Sequence, residues 1–150
     1  MVRIRSLPWH LPTALLACSL ALPALAADLD IEVRGLRSDQ GKLFVAVHHA
    51  QEGVKFPDAA GMVAGLWRQA TKGTLRFSLP DLPPGRYAVN AFHDENGNEK
   101  LDANLLGVPT EGYGFGNDAA GSFGPPAFDD AAVTVGGDAG SARTVLTLAY

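Results

Sequence analysis

Two prolines and a glycine in Asp81-Leu82-Pro83-Pro84-Gly85-Arg86-Tyr87 force the chain to reverse, and apolar and polar residues alternate from Arg86 to His93 directly behind them. Proline fixes φ and glycine accepts positive φ, so the segment is a turn that delivers a strand. A tyrosine just after such a turn packs as a corner whose hydroxyl bonds back to the loop, a device of β-sandwiches. The same period of two recurs along the chain. Leu29, Ile31 and Val33 alternate with Asp30, Glu32 and Arg34, Leu43 to His48 is β-rich, and Thr74 to Leu79 alternates again. Ala131 to Val135 and Ala142 to Leu148 are two final strands, separated by the hairpin spacer Gly136 to Gly140. Gln51 to Thr71 is too interrupted for a long helix, and is expected to hold one helical turn and a short strand near Leu66, with Trp67 and Phe56 capping one end of the core. The expected fold is all-β: an antiparallel, two-sheet, Greek-key-like sandwich of about seven strands with one long ordered loop.

The amino terminus bears on compartment. Arg3 and Arg5 form a basic region, Leu11 to Leu25 is almost wholly apolar, and Ala24-Leu25-Ala26 is a small-residue cleavage pattern. Residues 1–26 are therefore expected to be a cleaved signal peptide, and residues 27–150 a single domain, periplasmic or secreted. The apolar core is shorter than the roughly 20 residues of a membrane span, so no transmembrane segment is expected. A lipobox reading of Leu15-Leu16-Ala17-Cys18, with Cys18 acylated, competes but is preceded by a short stretch broken by Pro8, His10 and Pro12. With Cys18 gone the mature chain has no cysteine, which excludes disulfides and thiol catalysis. Losing Arg3 and Arg5 takes the formal net charge from −4 to −6, an acidic balance that argues against nucleic acid and anionic lipid as partners.

The most informative stretch for function is His93-Asp94-Glu95-Asn96-Gly97-Asn98-Glu99-Lys100-Leu101-Asp102. With Asp94 as position one, Asp94, Asn96, Asn98 and Asp102 fall at one, three, five and nine, and the Lys100 carbonyl at seven, the ligand order of a calcium loop. Glu99 stands where such a loop wants glycine, and Leu105 where it wants a bidentate glutamate. Asn96-Gly97 is equally a hairpin signal. Glu111 is the residue expected to close the coordination shell from a neighbouring turn. Calcium bound here would be weak, with Kd of order 10⁻⁴ to 10⁻³ M, and structural, pinning the long stretch between Asp94 and Ala131.

Glu111-Gly112-Tyr113-Gly114-Phe115-Gly116-Asn117 and Phe123 to Asp130 form a glycine and aromatic loop. Tyr113, Phe115, Phe123 and Phe128 are either ligand-stacking residues or side chains that fold the loop onto the sandwich. His48 and His93 are a weaker metal candidate, meeting only if their strands bring them together, with His49 or Asp94 nearby. No serine sits in a nucleophile-elbow context, leaving loop carboxylates such as Glu111, Asp129 and Asp130 as the material of any hydrolase.

The turn at Pro83-Pro84-Gly85-Arg86-Tyr87 resembles one shared by transthyretin-like, carboxypeptidase-regulatory-like and Cna-B-like sandwiches. Together with His93 to Asn98, Leu101-Asp102, Gly107 to Phe115 and Pro126 to Asp129, it makes the chain from about Asp28 to Tyr150 similar to the bacterial exported family DUF2141. That resemblance implies a secreted or periplasmic single-domain β protein, with no catalytic residues to carry over. Asp-x-Asn-x-Asn-x-x-x-Asp also resembles the calcium loops of Cna-B-like surface modules. The function expected is a non-enzymatic binding module for an unidentified envelope or extracellular protein or glycan, its loop ordered by calcium. The alternative is a glycan- or peptide-directed hydrolase.

Overall fold

The structure, a computed structural model, describes residues 25–150. The expected signal peptide, apart from Leu25 and Ala26, and the lipobox reading at Cys18 thus fall outside the described residues. Eight strands follow one another: β1 (Ala27–Leu36), β2 (Lys42–His49), β3 (Met62–Gln69), β4 (Gly73–Leu82), β5 (Gly85–Asp94), β6 (Gly112–Phe115), β7 (Ala132–Val135) and β8 (Ala142–Thr147). The one α-helical turn among the described residues, α1, is Phe128–Ala131. One sheet has the order β4-β1-β8, the other β3-β2-β5-β6, with β7 also paired to β5. This is the all-β two-sheet sandwich that the alternation predicts.

Two features of the topology go beyond it. The pairing of β1 with β8 is parallel, Leu29 beside Ala142 and Arg34 beside Thr147, whereas all other named strand pairs are antiparallel. The expected long loop is divided by β6, which lies along Asn90 to His93 of β5 while β7 lies along Gly85 to Ala88 of the same edge.

Alternation places the core. Leu29, Ile31 and Val33 of β1, Leu43, Val45 and Val47 of β2, and Tyr87, Val89 and Ala91 of β5 all turn inward, joined by Phe77 and Leu146. Burying each large apolar side chain contributes roughly 1.5–3 kcal/mol. Tyr87 reaches out of this core to donate its hydroxyl to the Pro83 carbonyl at 2.8 Å, the corner expected from the turn. Burial raises its phenol pKa.

Glu32 breaks the pattern, because it lies on the polar face of β1 and yet is only 5% exposed. Three arginines cover it. Arg34 Nε donates to Oε1 at 2.7 Å, Arg76 Nε to Oε2 at 2.9 Å, and Arg143 also to Oε2. They come from β1, β4 and β8, so one carboxylate ties the whole three-stranded sheet together. Hydrogen bonds from Arg34 and then Arg76 lower its pKa from 4.5 to about 2. A folded-state pKa below the unfolded one stabilises above pH 4.5, and that contribution is lost as pH falls toward 2. Melting temperature is expected to decline across this window in the wild type, and Glu32→Gln to remove that part of the slope. Thermal melts at a series of acid pH values check it, and equal slopes would refute it.

Trp67 and Phe56 do not cap the core as expected. Ala64 and Leu66 take the inward positions of β3, so Trp67 points outward and is 58% exposed. Phe56 lies on the outer face of the five-stranded sheet, edge-on to His48, Phe115 and Phe128. The segment before β3 does contain the expected single turn, a 3-10 turn at Ala59–Gly61 capped by Asp58, and β3 itself is eight residues long.

Candidate functional site

Asp94 ends β5 with its side chain fully buried. Its Oδ1 accepts the N–H groups of Gly97 at 2.8 Å and Asn98 at 3.1 Å, and its Oδ2 accepts that of Glu99 at 2.9 Å. Asn96 Oδ1 accepts from Asn98 N, and Asn98 Oδ1 from Lys100 N, so each polar side chain holds the backbone two residues ahead. The Asn96 and Asn98 amides both donate to the Asp102 carboxylate, Asn98 at 3.0 and 3.1 Å to its two oxygens. Glu111, buried just before β6, accepts from Glu95 N with Oε1 at 2.9 Å and from Asp102 N with Oε2 at 3.1 Å. It therefore clips both ends of the loop, a pinning role the sequence reading gave to an ion.

The structure thus joins the side chains of Asn96, Asn98 and Asp102, while those of Asp94 and Glu111 are spent on the loop's backbone N–H groups and Lys100 is exposed. Glu99, at the position where a calcium loop wants glycine, takes φ of 61°, so the glutamate adopts the left-handed turn the missing glycine would supply. Asp94 spends three of its roughly four lone-pair positions on backbone N–H groups, leaving one. Among the described residues no three His, Cys, Asp or Glu side chains gather closely enough to hold a metal. A cation here would draw on the asparagine and backbone carbonyl oxygens as well as the two aspartates.

Beside the loop runs a row of aromatic side chains. Trp67 of β3, Phe44 of β2, Phe92 of β5 and Tyr113 of β6 lie opposite one another at one register across four strands. The Phe44 and Phe92 rings stack at 5.1 Å, and the Lys42 ammonium lies 4.8 Å from the Trp67 ring centre. Next to this row is a groove of about 670 Å³. Its floor is Asn90, Phe92, Tyr113 and Phe115, one wall is Leu101 with Gly107 to Pro109, and the other runs through Gly121, Ser122, Gly124 and Pro125. Of the four aromatics singled out in the sequence, Tyr113 and Phe115 line the groove. Phe123 stands fully exposed, and Phe128 packs against the far side of Phe56.

Phe92 and Phe44 escaped the sequence reading because alternation alone does not say that their strands are neighbours. The signal for β6 was present in Gly112-Tyr113-Gly114-Phe115. Glycines occupy its inward positions because a Cβ at Gly112 would lie 2.4 Å from the Tyr150 ring, and one at Gly114 2.9 Å from the Thr147 carbonyl oxygen. The aromatics are thereby turned outward.

The histidines do not meet. β2 and β5 do pair, but His48 lies opposite Ala88 and His93 opposite Leu43, at opposite ends of the register. His93 is buried, with its ring nitrogens 2.7 Å from the Tyr150 hydroxyl and the Gln40 carbonyl. His48 Nε2 lies 2.7 Å from Asn90 Oδ1, and burial lowers its pKa. The loop acids are likewise dispersed. Asp129 is paired with Arg86, and none of Glu111, Asp129 and Asp130 lines the groove.

No helix among the described residues is long and apolar enough to cross a membrane. Searches of curated proteins and of solved structures return no match. A family model described as an uncharacterized protein conserved in bacteria, DUF2141, matches residues 31–143, from the first core strand to the last. That span includes the tyrosine corner, the Asp94 loop and every residue lining the groove, and the chain belongs to the DUF2141 family.

Proposed function

We propose that this chain is a non-catalytic, exported binding module that takes a glycan in the aromatic groove, with the Asp94–Asp102 loop as a calcium-strengthened wall. The observation that carries the proposal is the groove itself: mainly apolar, floored by Phe92, Tyr113 and Phe115, with Asn90 and Ser122 as polar contacts. Rings of this kind stack on the C–H faces of sugars, and a few polar groups fix orientation. Leu101, next in the chain to Asp102, is part of the wall, so ordering the loop would order the groove. Support for calcium is the one-three-five-nine spacing of Asp94, Asn96, Asn98 and Asp102 and the left-handed turn at Glu99; the Asn96 and Asn98 amides present N–H groups to Asp102, so both would turn to offer their oxygens to a cation. The hydrolase alternative draws less support, since Glu111 spends both oxygens on backbone and lies outside the groove.

The test screens the protein against hexose and N-acetylhexosamine oligosaccharides by calorimetry, in calcium and in EDTA. Binding is expected to fall at least tenfold, about 1.4 kcal/mol, in Tyr113→Ala and in Phe115→Ala. No binding by any oligosaccharide would sink the glycan proposal. In about 5 mM calcium a Kd of order 10⁻⁴ M predicts roughly 2.3 kcal/mol of added stability, several degrees in Tm, absent in magnesium and in Asp102→Ala. An unchanged Tm would remove calcium while leaving the groove standing.

A further inference from the structure

The five-stranded sheet ends at β3, which pairs with β2 on one side only. Half of its N–H and C=O groups therefore point sideways, away from β2, and no strand among the described residues lies beyond them. Such an edge is a template for another strand, and proteins usually blunt it with proline, charge or distortion. The sequence of β3, Met62-Val63-Ala64-Gly65-Leu66-Trp67-Arg68-Gln69, contains no proline and no acid. Its one charge is at the far end, where Arg68 lies 5.2 Å from the ring of Phe77.

The other sheet shows the contrast. Its open edge, β4, carries Pro80, an Asp81 at φ 58°, and Arg76 bound to Glu32, and its pairing with β1 shifts register near both ends. β3 has one irregularity of its own, where Val63 falls between the Val47–Ala64 and His48–Met62 pairs, so it is the less protected of the two edges, regular from Ala64 to Gln69.

We infer that β3 is the pairing edge for a second copy of this chain, joined antiparallel about Gly65. A two-fold axis there sets Trp67 opposite the copy's Val63 and Ala64 opposite its Leu66, with Gly65 facing its own counterpart. Trp67 and Val63, 58% and 48% exposed in the single chain, then form aromatic and β-branched cross-strand pairs on both sides of the axis. Gly65 leaves room for both indoles to lean toward the centre. The pairing is self-complementary, as an isologous dimer interface must be. It also suits the charge: two acidic chains meet along a strand without acids, and the two Arg68 residues lie six positions apart, roughly 20 Å, beyond the screening length at physiological salt. The axis stands normal to the sheet, so both grooves face the same side of one continuous sheet. The inference rests on the edge and is independent of what the grooves bind.

Sedimentation velocity from about 1 to 300 µM, with Val63→Lys, Trp67→Lys and Gly65→Cys variants, tests it. The wild type is expected to dimerise with rising concentration, and each lysine variant to remain monomeric with an unchanged circular dichroism spectrum. Gly65→Cys is expected to form a disulfide-linked dimer under mild oxidation, since paired residues at the axis lie within disulfide reach, whereas Gln51→Cys does not. A wild type that stays monomeric throughout overturns the inference, including one that instead binds an extended peptide along β3. So does a dimer indifferent to both lysines, which would place the interface elsewhere.

Discussion

Asp94→Ala is expected to lower the melting temperature by roughly 10 °C or more, in EDTA as much as in calcium. The carboxylate is fully buried and accepts three backbone N–H groups from consecutive loop residues, Gly97, Asn98 and Glu99. Hydrogen bonds to a charged group contribute about 1.5–3 kcal/mol each, but the loop amides are exposed and recover water, so a net loss of about 3–5 kcal/mol is the reasonable sum. For a domain of this size each kcal/mol moves Tm by about 3–5 °C. Asp94→Asn keeps one acceptor oxygen and is expected to lose less. Differential scanning calorimetry with and without EDTA decides the matter. A loss that appears only in calcium would make Asp94 chiefly a metal ligand, and a change under about 2 °C would show that the loop forms without it. The calcium question is for the same reason better put to Asp102, which takes side-chain amides rather than the turn's own N–H groups.

Gly41→Ala is expected to prevent folding or to cost more than about 4 kcal/mol. A Cβ at Gly41 would lie 1.8 Å from the carbonyl oxygen of Asp94, 2.8 Å from its carbon and 2.9 Å from the Cα of Glu95. All three are backbone atoms, so no side chain can yield. The turn cannot swing aside, because the Gly41 carbonyl is held by Ala70 N at 3.1 Å and Gln69 Nε2 at 2.7 Å. Gly41 also has φ of 69°, which adds about 1–2 kcal/mol for alanine. Gly53→Ala is the control. Gly53 has φ of 77° with nothing within 4 Å of a built Cβ, so it should lose only the conformational part. Soluble yield and urea midpoints of the two variants separate collision from backbone strain, and equal losses would refute the collision.

Where the determinants are local, the sequence was readable. Leu29, Ile31 and Val33 face inward because alternation admits no other strand orientation, and Tyr87 bonds to Pro83 because the turn leaves it four residues away. The Asp94 to Asp102 cluster was legible for the same reason: its polar side chains meet within nine residues. What eluded reading depends on partners far along the chain. β6 is a strand because it pairs with Asn90 to His93 of β5, with Tyr150 and Thr147 leaving room only for glycine at 112 and 114, and Glu32 is buried because Arg76 and Arg143 arrive from other strands. The groove is more distant still, since its floor exists only when β5 and β6 are in register. Trp67 was misplaced because aromatic size favours burial, whereas its position in an edge strand determines the outcome.

The parallel pairing of β1 with β8 sets the order in which the molecule can assemble. β1 lies at the centre of its sheet, yet one of its two neighbours is the last strand of the chain. Closing that contact spans nearly the whole domain, the kind of non-local pairing that makes folding slow. Until residues 142–147 emerge, one edge of β1 stays bare and Arg143 is missing from the charge cluster around Glu32. A chain still being made therefore cannot lock prematurely, and residues 142–147 act as the latch.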